Sequence, residues 1–105
     1  MKVLENAFTL SDSKLLTENE KVKIEQLKLA EDLSITTINV MGNQEYSFTT
    51  RSGIITVHIG SGTISNGREE VTCDLFNRVA VERNERITIK NTQAYPLTLT
   101  MVTSN

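Results

Sequence analysis

The 105-residue chain contains one cysteine, Cys73, and one histidine, His58. A single thiol excludes an intramolecular disulfide framework. A hard or borderline metal ion needs three or four converging nitrogen or oxygen ligands, which one imidazole cannot supply. Carboxylates could form a calcium or magnesium site, but their spacing does not suggest one. Because no histidine lies near Cys73 in sequence, we expect this cysteine to be a small half-buried residue rather than a nucleophile.

The sequence also lacks long apolar runs and an excess of basic residues. No segment has the ~18 consecutive apolar residues of a transmembrane helix. The first residues, Met1-Lys2-Val3-Leu4-Glu5-Asn6, have no apolar run of signal-peptide length, and we expect a cytoplasmic protein. The net charge is −2 and the isoelectric point is near 5.4. This balance argues against a broad basic face, so we predict neither a nucleic-acid partner nor a membrane partner.

Alternation of apolar and polar residues with a period of two dominates the chain and predicts an all-β domain. Short runs rich in Val, Ile and Thr recur from Val22 to Val102. Helix-compatible spacing occurs only between Asp12 and Lys28 and predicts one or two helical turns at most. We expect residues 1–20 to form an N-terminal arm or edge strand and residues 21–105 to form the barrel domain.

Turn-forming residues separate the predicted strands. The best hairpin signal is Asn66-Gly67, between Thr63-Ile64-Ser65 and the run from Arg68 to Val71. Asn and Gly both tolerate a positive φ, which tight hairpin turns require. About eight short strands must protect their edges, which a jelly roll or closed barrel achieves.

The residues from about 33 to 103 resemble the cupin family. Gly60 matches the glycine of its first motif, Asn91 matches the asparagine of its second, and Tyr95-Pro96-Leu97 resembles the entry into its final strand. Cys73 stands where the family has a glycine before Asp74. The resemblance implies a small cupin-like jelly-roll barrel of short antiparallel strands.

This alignment places four residues where cupins carry metal ligands. Tyr46 and Phe48 stand at the two histidines of the first motif, Gly53 at the glutamate and Ile87 at the last histidine. Phe, Gly and Ile have no side-chain ligand atom, and an un-ionised Tyr is a poor ligand. We therefore predict a barrel without its metal and without a cofactor.

Within the cupins, the chain resembles the short pyrimidine/purine nucleoside phosphorylases. The segment from Val40 to Thr50 is similar to their Gly-Glu-Tyr-Thr-Phe-Ser-Thr strand, and Leu75-Phe76-Asn77 also matches. The chain departs from that family at Arg51-Ser52-Gly53, which is a shortened turn, and at Val79-Ala80-Val81-Glu82. The resemblance implies phosphorolysis of nucleosides to a free base and a pentose 1-phosphate without a metal.

Six residues are candidates for a site. Tyr46, Phe48 and Arg51 are the predicted substrate-binding residues, and His58, Arg78 and Arg86 are the predicted catalytic residues. Aromatic faces stack on nucleobases, arginines bind orthophosphate with a bidentate fork, and a histidine has a pKa suited to proton transfer. Each also has a structural interpretation: the aromatic residues fill the core, His58 is a hydrogen-bonded or solvated strand residue, and the arginines pair with neighbouring glutamates.

Three functions remain open from the sequence. The first is nucleoside phosphorolysis, in which charge stabilisation and positioning need no nucleophilic side chain. The second is non-catalytic binding of a small sugar or metabolite, and the third is a structural cupin with a filled barrel. We also expect a homodimer, because the apolar segment from Val3 to Leu10 has little to bury against and can pair with a partner's sheet edge.

Overall fold

A computed structural model describes residues 14–104. This part of the chain forms strands and no helix. The strands are β1 Lys14–Glu18, β2 Val22–Ala30, β3 Leu33–Val40, β4 Glu45–Thr49, β5 Gly53–Ile59, β6 Gly62–Ser65, β7 Glu70–Cys73, β8 Arg78–Val81, β9 Arg86–Lys90 and β10 Leu97–Ser104.

The strands form two antiparallel sheets. The larger sheet has the order β1-β2-β3-β10-β5-β8, and the smaller has the order β4-β9-β6-β7. The last strand, β10, therefore lies in the middle of the larger sheet and pairs with β3 and β5. Successive strands repeatedly pass from one sheet to the other, as in a jelly roll.

The core lies between the inner faces of the two sheets. Alternate residues of a strand face opposite sides, and on β10 this places Leu97 and Leu99 inward, opposite Val40 and Ile38 of β3. The buried apolar side chains form one cluster of Val22, Ile24, Ile38, Val40, Ile55, Val57, Ile64, Cys73, Val81, Ile87, Ile89, Leu97, Leu99 and Met101. Burial of this cluster is the main favourable contribution to folding.

The predicted all-β jelly-roll fold is confirmed. The Asn66-Gly67 hairpin is confirmed as well, with Ser65 paired with Glu70. Its connection is longer than the two residues expected: residues 66–69 form the turn, and only Gly67 has a positive φ, of 90°. The turn is stabilised by Asn66 Oδ1, which accepts hydrogen bonds from the backbone N–H groups of Arg68 and Glu69.

The helical turns that the spacing permitted in residues 12–28 are absent from the described part of that range. Residues 14–18 form β1, which pairs with β2 at the edge of the larger sheet. The predicted partner strand from Val3 to Leu10 lies outside the described residues, and the division at residue 20 stays a prediction. Within residues 14–104, no helix has the length and apolarity needed to cross a membrane.

The side chain of Asn91 holds three segments of the chain together. It is 1% exposed, and its Nδ2 donates to the backbone oxygens of Val40 at 3.1 Å, Met41 at 3.2 Å and Tyr95 at 2.8 Å. Its Oδ1 accepts from the N–H of Gln93 at 3.0 Å. The amide therefore fixes the loop before β10 against the end of β3.

We predict that Asn91→Asp destabilises the protein strongly, because it replaces a buried donor with a carboxylate facing carbonyl oxygens. The loss of this donor and the burial of an unpaired charge together cost about 3 kcal/mol or more of unfolding free energy at pH 7. Protonation restores a donor, so the deficit becomes smaller as the pH falls. Urea unfolding at pH 7 and at pH 5 measures both effects. Thr92→Asp, at the exposed neighbouring position, is the control. A deficit that does not change with pH would contradict the prediction.

Candidate ligand-binding site

Two aromatic rings stack on the inner face of β4. Tyr46 and Phe48 are two residues apart. Tyr46 pairs with Ile89 of β9, and Phe48 pairs with Ile87. The ring centroids are 5.5 Å apart and the planes differ by 20°. Both side chains are half-buried and pack against the core cluster. Because β4 is the terminal strand of the smaller sheet, the pair stands where the space between the sheets reaches an edge.

Arg86 is the predicted site arginine whose charge affects the pKa of Tyr46. Burial raises the pKa of the Tyr46 phenol, and the positive charge of Arg86 partly opposes that rise. Arg86 begins β9 and its Nη1 donates to Thr49 Oγ1 at 3.4 Å. The guanidinium is exposed, so it is accessible to an anion near the β4 edge.

His58 and Arg78 lie on the outer face of the larger sheet. Ile55 and Val57 face inward, so alternation along β5 makes His58 face outward. His58 lies beside a register shift between β5 and β10. Its Nε2 lies 2.6 Å from Thr100 Oγ1. Arg78 is exposed and begins β8 opposite Thr56, on the same outer face.

The predicted site residues therefore fall in four places. The aromatic pair lies on the inner face of β4, whereas Arg86 pairs with Thr49 at the outward positions of the smaller sheet. The histidine with Arg78 lies outside the larger sheet, and Arg51 is exposed in the loop between β4 and β5. The core layer separates the aromatic pair from the histidine. The six residues do not converge on one pocket, and their individual roles stay predictions.

Sequence reasoning did not find a link between two turns that lie at one end of the molecule. Asn66, in the β6–β7 turn, donates through Nδ2 to Glu85 Oε2 at 2.9 Å, and Glu85 Oε1 accepts from the N–H of Glu82 at 2.6 Å. These hydrogen bonds lower the pKa of Glu85. The Asn-Gly signal identified the first turn, but no sequence signal shows which distant turn it contacts.

An open, mostly polar cavity of about 530 Å³ lies between these two turns. Arg68 and Arg86 contribute cations, and Glu69, Glu82 and Glu85 contribute carboxylates. With both signs of charge interspersed, the cavity has no strong preference for a cation or an anion. A second open depression, of about 280 Å³, is lined by Asn43, Gln44, Glu45, Lys90, Asn91 and Thr92 beside the start of β4.

Comparisons with known proteins identify the fold. No protein-family model matches the sequence, and no curated protein matches it. Among solved structures, a protein of Photorhabdus luminescens superposes with a TM-score of 0.75 at 10% identity, covering 97% of this chain and 87% of that one. A cupin-2 domain of Rhodospirillum rubrum gives a TM-score of 0.74 at 11% identity, covering 97% and 76% of the two chains. An RmlC-like cupin of Shewanella frigidimarina gives 0.73 at 13% identity, covering 95% and 91%.

The chain has the cupin fold. At these identities the likeness establishes the architecture, which many functions share, and not an activity. The coarse cupin reading of the sequence is therefore confirmed. The finer resemblance to nucleoside phosphorylases finds no counterpart among these neighbours.

The positions that the cupin alignment assigned to metal ligands do not fit a metal. Phe48 pairs directly with Ile87 across the two strands, on the inner face, and the Tyr46 ring stacks on the Phe48 ring. Gly53 begins β5 and offers no side chain. Among residues 14–104, no group of three His, Cys, Asp or Glu side chains is placed to hold a metal ion.

Cys73 is more buried than the sequence predicted. It is 1% exposed and belongs to the core cluster. Burial, together with the charge of Asp74, raises the pKa of its thiol. A raised pKa reduces the thiolate fraction, which agrees with a packing role.

We predict that His58 makes the stability decrease as the pH falls through 6.5. Burial lowers its pKa from the ordinary 6.5, so the folded state takes up a proton less readily than the unfolded state. The free energy of unfolding is then highest above 6.5, decreases as the pH falls through 6.5, and becomes constant below the folded pKa. His58→Gln keeps a polar partner for Thr100 and removes this dependence.

Urea unfolding of both proteins between pH 5 and pH 7.5 measures the difference. Because the chain has one histidine, its imidazole resonance in a proton NMR titration gives the folded pKa directly. Equal pH dependence in the two proteins, or a folded pKa above 6.5, would refute the prediction.

Proposed function

We propose that this cupin-fold protein binds a small molecule with a flat unsaturated ring, without a metal, on the Tyr46–Phe48 pair. The observation that supports the proposal is the stacked, half-buried geometry of these rings at a sheet edge. Here β4 is the terminal strand of its sheet, so the rings are partly accessible.

The physical basis of binding is π-stacking combined with release of water. An aromatic side chain contributes ~1–3 kcal/mol to binding of a nucleobase by stacking, with little dependence on which base is bound. The aliphatic side chains of Ile87 and Ile89 support the rings from the neighbouring strand. The platform therefore selects flat rings over saturated ones, and polar groups near the edge refine the choice.

Binding is tested with a panel of purines, pyrimidines and indole, with cyclohexanol as the saturated control. Chemical shifts of the Tyr46 and Phe48 ring protons and isothermal titration calorimetry report binding. We predict that Tyr46→Ala weakens binding of the flat ligands by about 5- to 150-fold, the equivalent of the stacking energy.

The matched control is Tyr95→Ala, because Tyr95 is the only other tyrosine and is 54% exposed in the loop before β10. It should leave the affinities unchanged. Equal losses in both variants, or no binding of any flat ligand by the native protein, would contradict the proposal. The latter result would favour a structural cupin with a filled barrel.

Nucleoside phosphorolysis is the second candidate, and the resemblance of the segment from Val40 to Thr50 to the phosphorylase strand supports it. The aromatic pair would hold the base, and an arginine would hold the phosphate. In this reaction the C1′–N glycosidic bond breaks, an oxygen of orthophosphate forms the new bond to C1′, and the departing base takes a proton. Arg86 would hold the phosphate, whereas Arg78 lies outside the other sheet.

Phosphate-dependent release of free base from uridine, cytidine, adenosine, guanosine, inosine and thymidine, with and without EDTA, tests this reaction. We predict turnover that survives chelation, a loss of at least tenfold in Arg86→Ala, and no change in Arg78→Ala. No turnover from folded native protein would refute phosphorolysis and leave ring binding as the function. The cytoplasmic location and the absence of nucleic-acid and membrane partners stay predictions.

A further inference from the structure

The β6–β7 turn places a side-chain amide, that of Asn66, next to an unhindered backbone nitrogen, that of Gly67. Gly67 is exposed and has a φ of 90°. Within residues 14–104, no atom beyond its chain neighbours lies within 4 Å of the position that a Cβ would take. Its N–H donates to Ser65 Oγ at 3.2 Å. The nitrogen of Gly67 therefore has no side chain beside it that would hinder its approach to the amide.

The amide oxygen of Asn66 is held by two backbone donors. The nitrogen of Arg68 lies 2.9 Å from Asn66 Oδ1, and the nitrogen of Glu69 lies 2.8 Å from it. Two such donors stabilise the negative charge that develops on a carbonyl oxygen when a nucleophile adds to its carbon. The turn thus polarises Asn66 Cγ toward attack.

We propose that Asn66 is a site of spontaneous deamidation in the folded protein. The nitrogen of Gly67 adds to Asn66 Cγ and loses its proton to water, the Cγ–Nδ2 bond breaks, and ammonia leaves with a proton from water. The product is a five-membered succinimide. Water then opens this ring at one of its two carbonyl carbons, which gives aspartate or isoaspartate at position 66. The net reaction consumes one water and releases one ammonia, so it needs no oxidant or reductant.

The modification removes the hydrogen bond that joins the β6–β7 turn to the β8–β9 turn. Asn66 Nδ2 donates to Glu85 Oε2 at 2.9 Å, and this hydrogen bond is the largest cause of the lowered pKa of Glu85. A carboxylate at position 66 has no proton to donate and places a second negative charge beside Glu85. The attraction between the two turns is then replaced by repulsion.

The same hydrogen bond lies at the edge of the apolar core. Asn66 and Glu85 line a cavity of about 70 Å³ together with Ile64, Val81 and Ile87, which are buried members of the core cluster. Separation of the two turns gives water access to this part of the core. Deamidation is therefore expected to lower the stability of the protein as well as to change its charge.

Incubation of the native protein at pH 8 and 37 °C, followed by peptide mass spectrometry, tests the modification. Asn43 and Asn84 are matched controls in the same molecule, because both are exposed and have a positive φ but precede Gln44 and Glu85. We expect Asn66 to convert at least about tenfold faster than either, since only glycine allows an unhindered approach of the backbone. Retention of the amide at position 66, or equal rates at the three positions, would overturn the proposal. Circular dichroism during the incubation confirms that the chain stays folded.

Asn66→Asp reproduces the aspartate product and tests the effect on the link between the turns. We expect a lower urea midpoint than in the native protein at pH 7. Adding Glu85→Gln should restore the midpoint, because the new amide can donate to the carboxylate at position 66 and still accept from the N–H of Glu82. A native midpoint in Asn66→Asp, or no recovery in the double variant, would show that deamidation does not act through this hydrogen bond and would overturn that part of the proposal.

Discussion

The aliphatic layer between the two sheets is the feature on which the rest of the structure depends. It is centred on β10, which lies between β3 and β5 and sends Leu97 and Leu99 into the core. Each buried aliphatic side chain contributes about 1.5–3 kcal/mol relative to an exposed one. Because the side-chain period of a strand is two, a slip of one residue would expose this layer, so the register is strongly specified.

The same layer determines where chemistry can occur. The cupin resemblance aligns Phe48 and Ile87 with metal ligands, and in the structure both contribute to the apolar interior. Charged side chains consequently lie at sheet edges, turns and outer faces, whereas buried polar side chains of the inner face include the hydroxyls of Thr36 and Thr103. Among residues 14–104, the Tyr46–Phe48 pair combines partial exposure with a stacked geometry on the inner face, which is why the proposed function rests on it.

Alternation and turn chemistry predicted much of the architecture because both are local properties. The all-β class, the Asn66-Gly67 hairpin and the shared face of Tyr46 and Phe48 all follow from spacing within a few residues. Alternation also placed His58 on the face opposite Ile55 and Val57, as observed. It left open whether that face was solvent or pocket, because this depends on which side the second sheet covers.

Contacts between distant segments could not be predicted in the same way. The amide of Asn91 was assigned to a family motif, but its role in joining the ends of β3 and β10 depends on loops that meet only in the folded chain. The Asn66–Glu85 link is of the same kind. Arg78 and Arg86 each flank a predicted strand in the sequence, but the fold places them on different sheets.

The central prediction is that aliphatic and aromatic packing stands in place of metal ligation inside this barrel. Metal analysis by inductively coupled plasma mass spectrometry tests it most directly, on protein purified without chelators and then dialysed with Zn²⁺, Mn²⁺, Fe²⁺ or Ni²⁺. The account predicts only traces of metal and an unchanged unfolding temperature. A stoichiometric metal that dialysis does not remove, with a raised unfolding temperature, would contradict it.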